Sequence, residues 1–90
     1  SEMPYVVDVR EPREFSQGHI AEAKLVPLPK ILSSEVKLPA DRQIVLVCRS
    51  GRRSRRAAAA LQHIGCMNVQ VLQGGMLAWG AAGLLEAMEY

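Results

Sequence analysis

Short apolar runs separated by turn-forming residues set the pattern of this chain. The run Gln43–Cys48 is continuously apolar after its first residue, which is typical of a strand buried on both faces of a parallel sheet. Three further runs have the residue types that favour strands. They predict strands over Tyr5–Val9, Lys24–Leu28 and Asn68–Leu72. Pro27 indicates either that the second strand ends there or that this strand lies at a sheet edge.

Helical signals lie between these runs. The strongest covers Ser54–Ile64, where alanines and leucine form an apolar stripe and Gly65 follows as a stop. A short helix is predicted over residues 12–17 and another from Met76, whereas residues 29–38 leave a short helix open. Because strands alternate with helices, the chain is predicted to form an α/β fold. It would have a small, mainly parallel sheet with helices on both faces.

The composition predicts one soluble domain over residues 1–90, with 49% hydrophobic and 22% charged residues. No apolar run approaches the roughly 20 residues of a membrane-spanning helix, and the start has no signal-peptide pattern. Two cysteines make no disulfide framework, which favours a reduced, cytoplasmic setting. His19 and His63 are isolated from them, so neither a metal nor a cofactor is expected.

Positive charge is concentrated directly after Cys48. Five of the eleven basic residues are Arg49, Arg52, Arg53, Arg55 and Arg56. The rest of the chain carries six basic and nine acidic residues, a net charge of −3. This distribution favours a local anion site. It disfavours nucleic-acid binding, because aromatic residues that could stack on bases are few and none lies among the arginines.

Cys48 stands where a predicted strand ends and a helix is about to begin. Ligands of open parallel sheets bind beyond the carboxyl ends of the strands. Gly51 allows a tight loop whose N–H groups converge on one centre, and the helix N-terminus adds partial positive charge. Such a site stabilises a thiolate, so Cys48 is predicted to have a lowered pKa and to be nucleophilic. The alternative is that Cys48 is a buried core cysteine and that the arginines only form the solvent-exposed face of a helix.

Three segments resemble the rhodanese (sulfurtransferase) domain family. "CRSGRRS" at 48–54 is similar to its active-site loop, "VVDVREPREFSQGHI" at 6–20 to its first block, and "NVQVLQGGMLAW" at 68–79 to its last. They occur in the family's order and are spread over the stretch from Val6 to Trp79, with "PL" at 27–28 matching the end of the first block. The resemblance implies a rhodanese fold.

The same resemblance implies a persulfide mechanism. Cys48 would attack the outer sulfur of thiosulfate or a persulfide donor, and a thiol or cyanide would then accept the sulfur. Arg49 would help to bind the anionic donor, and Arg53 matches the basic residue that closes the loop. The implied loop residues are Arg49, Ser50, Gly51, Arg52, Arg53 and Ser54.

Loop length distinguishes this chemistry from that of the cell-cycle phosphatases, which share the fold. Their active-site loop follows the pattern C-x5-R and is one residue longer. Here Arg53 makes the loop C-x4-R, and Ser54 occupies the phosphatase position. A tighter loop suits one sulfur atom better than a phosphoryl group, which disfavours phosphatase or arsenate reductase activity. A low-turnover persulfide carrier or a regulatory module of a larger protein stays open as the alternative.

Other residues are assigned supporting roles. Asp8 and Arg10 match the family's D-V-R and are expected to form an ion pair that holds a loop. His19 is expected to make a structural hydrogen bond. Cys66 is expected to be buried, although a resolving thiol is the alternative. Trp79 is expected to pack in the core beside the loop.

The chain departs from the family at two points. Glu22 stands where the family often has glycine, so the turn there is expected to differ. The family's first strand and helix normally precede the D-V-R block, but only about five residues precede it here. We therefore expect both elements to be missing, because the sequence is either a fragment of a longer chain or a minimal variant. The strand at Asn68–Leu72 would then lie at an edge, which allows weak dimerisation or a fused partner domain.

Overall fold

The computed structural model describes residues 4–81 and 88–89, without the side chains of 79–81 and 88–89. The expected packing of Trp79 therefore lies outside the described residues. The elements in chain order are β1 (Tyr5–Asp8), α1 (Pro12–Ser16), β2 (His19–Ile20), β3 (Lys24–Leu25), α2 (Leu28–Leu32), β4 (Ile44–Val47), α3 (Arg52–His63), β5 (Val69–Val71), α4 (Gly75–Ala81) and β6 (Met88–Glu89).

The main sheet has four parallel strands in the order β3-β1-β4-β5. The central strands β1 and β4 pair residue for residue, from Tyr5 opposite Ile44 to Asp8 opposite Val47. Their carboxyl ends therefore meet at one edge of the sheet, where the N–H of Val9 donates to the carbonyl of Val47 at 2.9 Å. A separate antiparallel pair joins β2 to β6.

Helices cover both faces of this sheet, as predicted. On one face, Val7 and Leu46 pack with Leu28 of α2 and with Ala57 and Leu61 of α3. On the other face, Val6, Val45 and Val47 pack with Ile20 and Met76. Successive strand residues point to opposite faces, so a strand apolar at every position needs cover on both sides. The continuous apolar pattern of β4 is satisfied in this way.

The edge position predicted for the Asn68–Leu72 strand is also found. Within residues 4–81 and 88–89, β5 pairs with β4 alone. The absence of an N-terminal strand and helix stays a prediction. In the same part of the chain, no helix has the length and apolar character needed to cross a membrane.

The structure corrects several predicted boundaries. The predicted strand to Leu28 stops at Leu25, and α2 begins at Leu28, because Pro27 and Pro29 suit a helix start and cannot donate to a strand ladder. Helix α3 begins at Arg52, two residues before the predicted start, because Gly51 takes the N-cap position. The strands β2 and β6 were not predicted, since two residues are too few to show a period.

Glu22 departs from the family in residue type but keeps a glycine-like backbone. Its φ is 71°, in the left-handed region that glycine adopts most readily. A non-glycine residue pays a steric cost in this conformation because its Cβ approaches the backbone. The expectation that this turn differs from the family's stays a prediction, and the structure shows Glu22 as a strained residue within it.

Candidate active site

Cys48 follows β4 directly and lies at the carboxyl edge of the sheet. Only 1% of its surface is exposed. The N–H of Gly51 donates to Sγ at 2.9 Å, and the N–H of Ser54 approaches it at 3.4 Å. The predicted convergence of loop N–H groups on the sulfur is therefore present, although it involves fewer direct bonds than six loop residues could supply.

Burial raises the pKa of the Cys48 thiol, because a charged sulfur loses solvation in the interior. Hydrogen bonds from Ser54, Gly51 and Ser50 favour the thiolate and outweigh that effect, so the pKa lies below its ordinary value. The site accordingly favours the thiolate, which is the nucleophilic form of cysteine.

The Ser54 hydroxyl adds a second sign of an anionic sulfur. Its residue is fully buried, and Oγ has no hydrogen-bond partner of ordinary geometry in the described structure. A buried hydroxyl without a partner is costly. The hydroxyl also lowers the pKa of Cys48, and a thiolate is a better acceptor than a thiol. Ionisation of Cys48 is therefore the change that would give this hydroxyl its partner.

Gly51 makes the tight turn possible. Its φ of 109° lies in the left-handed region, and it caps the N-terminus of α3. An added Cβ would lie 3.1 Å from Nη1 of Arg55. The backbone conformation therefore favours glycine here, and an added Cβ would also displace the Arg55 guanidinium by a few tenths of an ångström.

Helix α4 fastens the other side of the loop, a contact that sequence reasoning missed. The N–H of Met76 donates to the carbonyl of Cys48 at 2.8 Å, and that of Leu77 to the carbonyl of Arg49 at 3.1 Å. A Cβ on Gly75 would overlap the Cys48 carbonyl oxygen and lie 2.6 Å from that of Arg49. The Gly74-Gly75 pair was interpreted only as a turn, although a double glycine is also a signal of close backbone approach.

A pocket of about 360 Å³ lies beside the loop and is lined by Arg49, Ser50, Arg52, Arg53 and Arg56. The structure thus brings together four of the five clustered arginines. Two further cavities lie at the amino edge of the sheet, away from Cys48. The larger has about 530 Å³ and is lined by Leu38, Ala40, Ile64, Gly65, Cys66, Met67 and Asn68.

Arg53 lines the pocket, but its guanidinium fork is held by Glu14. The two bonds to the Glu14 carboxylate measure 2.7 and 3.0 Å. Arg53 lowers the pKa of Glu14 to about 2, since the ionised carboxylate is the form that accepts both bonds. The loop-closing residue is therefore neutralised by α1. Sequence reasoning missed Glu14 because it lies 39 residues from Arg53 in the chain. The one local signal at Glu14 is a helix-capping pattern with Glu11, and that pattern does not indicate a contact with the loop.

Asp8 and Arg10 form the expected ion pair. Nε and Nη2 of Arg10 donate to the Asp8 carboxylate at 2.8 to 3.1 Å, and Nη2 also donates to the carbonyl of Gly18 at 2.8 Å. Both side chains are buried. The pair ties the end of β1 to the loop after α1, which is a structural role.

His19 also has the structural contact that was expected. Its Nδ1 lies 2.9 Å from the carbonyl of Phe15, and the two rings stack with centroids 3.7 Å apart. Among the described residues, no group of three or more His, Cys, Asp or Glu side chains could hold a metal ion.

Cys66 is half-buried rather than buried, because it lies in the loop between α3 and β5, at the rim of the larger cavity. Its thiol donates to Oδ1 of Asn68 at 3.3 Å. The amino edge that holds Cys66 and the carboxyl edge that holds Cys48 are separated by the length of β4, about 13 Å at ~3.3 Å per residue. A disulfide needs Cα atoms within about 7 Å, so the resolving-thiol alternative does not fit this arrangement.

Comparison with known proteins decides the family. The family model for the rhodanese-like domain matches residues 1–82 of this chain. The chain belongs to the rhodanese-like domain family. A sulfurtransferase of Allochromatium vinosum is 42% identical over 79 residues, covering 88% of this chain and 74% of that protein. The thiosulfate sulfurtransferase GlpE of Pseudoalteromonas translucida is 31% identical over 77 residues, covering 86% and 73%.

The solved structures agree with this family. A rhodanese-related protein from Thermoplasma volcanium superposes with a TM-score of 0.80 at 30% identity, covering 88% of this chain and 78% of that one. The predicted rhodanese fold is therefore confirmed. This rhodanese-like chain spans 60% of the length of its Bacillus subtilis relative YqhL. It spans 19% of a probable adenylyltransferase/sulfurtransferase from Mycobacterium tuberculosis.

Proposed function

We propose that this rhodanese-like domain is a sulfurtransferase that carries sulfur as a persulfide on Cys48. The carrying observation is the buried sulfur that accepts the Gly51 N–H at 2.9 Å, next to the unpartnered hydroxyl of Ser54. These donors stabilise a negative sulfur and would stabilise a persulfide anion in the same place. The names of the sulfurtransferase relatives support the same class of reaction.

In the first step, the Cys48 thiolate attacks the outer sulfur of thiosulfate. A new S–S bond forms on Cys48, the original S–S bond breaks, and sulfite leaves with its electron pair. An organic persulfide would react in the same way and release its thiolate. Arg49 lines the pocket beside the loop and would attract either anion. In the second step, cyanide or a thiolate attacks the outer sulfur, and Cys48 leaves as a thiolate.

No step requires a general acid or base, because the nucleophiles and leaving groups are anions. The loop N–H groups act in both steps. They stabilise Cys48 as the attacking thiolate first and as the leaving group later. A mechanism without a general acid or base is consistent with the structural contacts made by His19 and by the Asp8–Arg10 pair.

Mass measurement tests the proposal. The reduced, folded protein is incubated with thiosulfate, desalted and weighed, and a gain of one sulfur atom is expected. Cys66→Ser should gain the same atom, whereas Cys48→Ser should gain none. If the folded wild-type protein gains no sulfur, or if Cys48→Ser still gains it, Cys48 is not the carrier.

The second candidate is a low-turnover sulfur carrier or regulatory module within a larger protein. It is supported by the small share of the adenylyltransferase/sulfurtransferase that this chain spans, and by the unpaired edge of β5 among the described strands. Turnover separates the two. An enzyme produces thiocyanate from thiosulfate and cyanide over many cycles, whereas a carrier gains one sulfur and releases it slowly. Either role requires a reduced thiol, which fits a cytoplasmic location.

A further inference from the structure

Four arginines around the Cys48 loop are exposed and have no ion pair among the described residues. They are Arg49, Arg52, Arg55 and Arg56. The fifth, Arg53, is neutralised by Glu14. Three of the four line the pocket beside the loop, and the backbone of Arg49 holds α4 in place. Three of these four free guanidinium groups are thus concentrated at the entrance to one site.

This arrangement is unfavourable for the fold itself. Helix α3 has arginine at four of its first five positions and no acidic residue in its first turn. The positive end of a helix dipole favours acidic residues, and like charges four residues apart, such as Arg52 and Arg56, repel each other. A local conflict of this kind is expected where function requires it. An anionic ligand would relieve it.

The small donor of the proposed reaction does not account for all of this charge. Arg56 lies about 6 Å further along the helix axis than Arg52, at ~1.5 Å per residue. Thiosulfate carries two negative charges, so it would compensate at most two of the four free arginines. Next to the arginines, Leu77 is 53% exposed, and its N–H is bonded to the carbonyl of Arg49. The entrance therefore combines a row of arginine side chains with one exposed apolar side chain, that of Leu77. This extended arrangement suits a ligand that is itself extended, such as a peptide segment.

We propose that the sulfur acceptor is a thiol carried on an acidic peptide segment of a partner protein, which binds along Arg49, Arg52 and Arg56. The inference rests on the proposed function, because the acceptor takes its sulfur from the Cys48 persulfide. Because Cys48 is 1% exposed, a slender segment can bring its thiol towards the persulfide more easily than a flat protein surface can. A peptide fits better than a nucleic acid, since no aromatic platform lies among the arginines.

The transfer step balances without another reactant. The peptide thiolate attacks the outer sulfur of the Cys48 persulfide and forms a new S–S bond. The bond between Cys48 Sγ and the outer sulfur breaks, and Sγ keeps the electron pair as a thiolate. The product is a peptide persulfide, and the loop N–H groups again stabilise the leaving sulfur.

The test uses protein loaded with sulfur by thiosulfate and then desalted. Three peptides with one cysteine each serve as acceptors, identical except for flanking glutamates, glutamines or lysines. Mass measurement over time gives the transfer rates. The glutamate peptide is expected to accept sulfur at least about tenfold faster than the glutamine peptide at low salt, within the range of electrostatic steering. The advantage should nearly vanish at ~1 M salt, where screening extends only about 3 Å.

Variants then assign the effect to the arginine row. Arg56→Gln should reduce the ratio of the glutamate to the glutamine rate several-fold. Lys37→Gln removes the same charge from an exposed residue beside the amino-edge cavity, and it should leave the ratio unchanged.

Equal rates for the three peptides, or an equal fall in the ratio for both variants, would overturn the inference. So would inhibition of the glutamate peptide by single-stranded RNA at lower concentration than by a cysteine-free glutamate peptide. Failure of the protein to load sulfur would instead reject the proposed function, so the two failures are distinguishable.

Discussion

Substituting alanine for Gly75 is expected to disturb the Cys48 loop from outside. The new methyl group would meet the carbonyl oxygens of Cys48 and Arg49, to which the N–H groups of Met76 and Leu77 now donate. Helix α4 can relieve this overlap only by moving away from the loop, which lengthens both hydrogen bonds. The loop would then lose the support that orients it around the sulfur.

The cost can be worked out from these contacts. Gly75 has a φ of 60°, and a left-handed conformation costs a non-glycine residue ~1–2 kcal/mol, offset by ~0.4–1 kcal/mol from a less flexible unfolded chain. Steric overlap adds ~1–3 kcal/mol, and each weakened hydrogen bond about 1 kcal/mol. The expected loss in the free energy of unfolding is therefore ~3–7 kcal/mol. A total stability of ~0.05–0.15 kcal/mol per residue, roughly 5–14 kcal/mol for 90 residues, exceeds this loss over most of its range, so part of the variant is expected to stay folded.

Gly65 supplies a matched control. Its φ is also in the left-handed region, at 92°, but an added Cβ meets nothing within 4 Å. Gly65→Ala thus carries the backbone cost alone, about 1 kcal/mol. Urea unfolding followed by circular dichroism gives both free energies. The pH dependence of iodoacetamide reaction, in a Cys66→Ser background, reports the pKa of Cys48, which should rise in Gly75→Ala only. If both variants lose the same free energy and keep the same pH profile, α4 does not support the loop.

Three further predictions concern single side chains. Ser54→Ala should raise the pKa of Cys48, since a donor to the thiolate is lost, and should slow alkylation several-fold near neutral pH; an unchanged pH profile would remove the hydroxyl from the site. Glu14→Gln should cost about 1 kcal/mol in urea unfolding near pH 7, discounted for partial exposure of the Glu14–Arg53 pair. Because the pKa of Glu14 is lowered from 4.5 to about 2, this contribution is complete above its ordinary pKa and is lost as pH falls through about 2, so the variant and wild type should converge there. Glu22→Gly should have a free energy of unfolding up to about 1 kcal/mol higher than Glu22→Ala, because both lose the side-chain contacts of Glu22 and only glycine removes the left-handed strain; equal stabilities would contradict that account.

The helices and strands that carry the site were predictable because their signals are local. The apolar run before Cys48 specifies a strand buried on both faces, and the alanine stripe after Ser54 specifies a helix. Their junction therefore follows from neighbouring residues. The position of Gly51 in the loop marks the tight turn for the same reason, and the structure adds only that α3 begins two residues earlier than predicted.

The partners of the loop were not predictable, because they come from distant parts of the chain. Glu14 approaches Arg53 only when α1 and α3 are packed beside the same edge of the sheet. Gly75 approaches Cys48 only when β5 pairs with β4 and returns the chain to that edge. No local period or spacing encodes either contact.

The sequence alone determined the order of the elements, the nucleophile at a strand end and the cluster of arginines, since each depends on residues that are neighbours in the chain. Tertiary structure decided which arginines remain free, how the sulfur is held and where Cys66 lies. It did so because charge compensation and hydrogen bonding depend on distance in space. The resemblance to the rhodanese loop implied that Arg53 closes the loop, but a carboxylate 39 residues away binds its guanidinium. The exposed row of Arg49, Arg52 and Arg56 carries the free charge at the entrance.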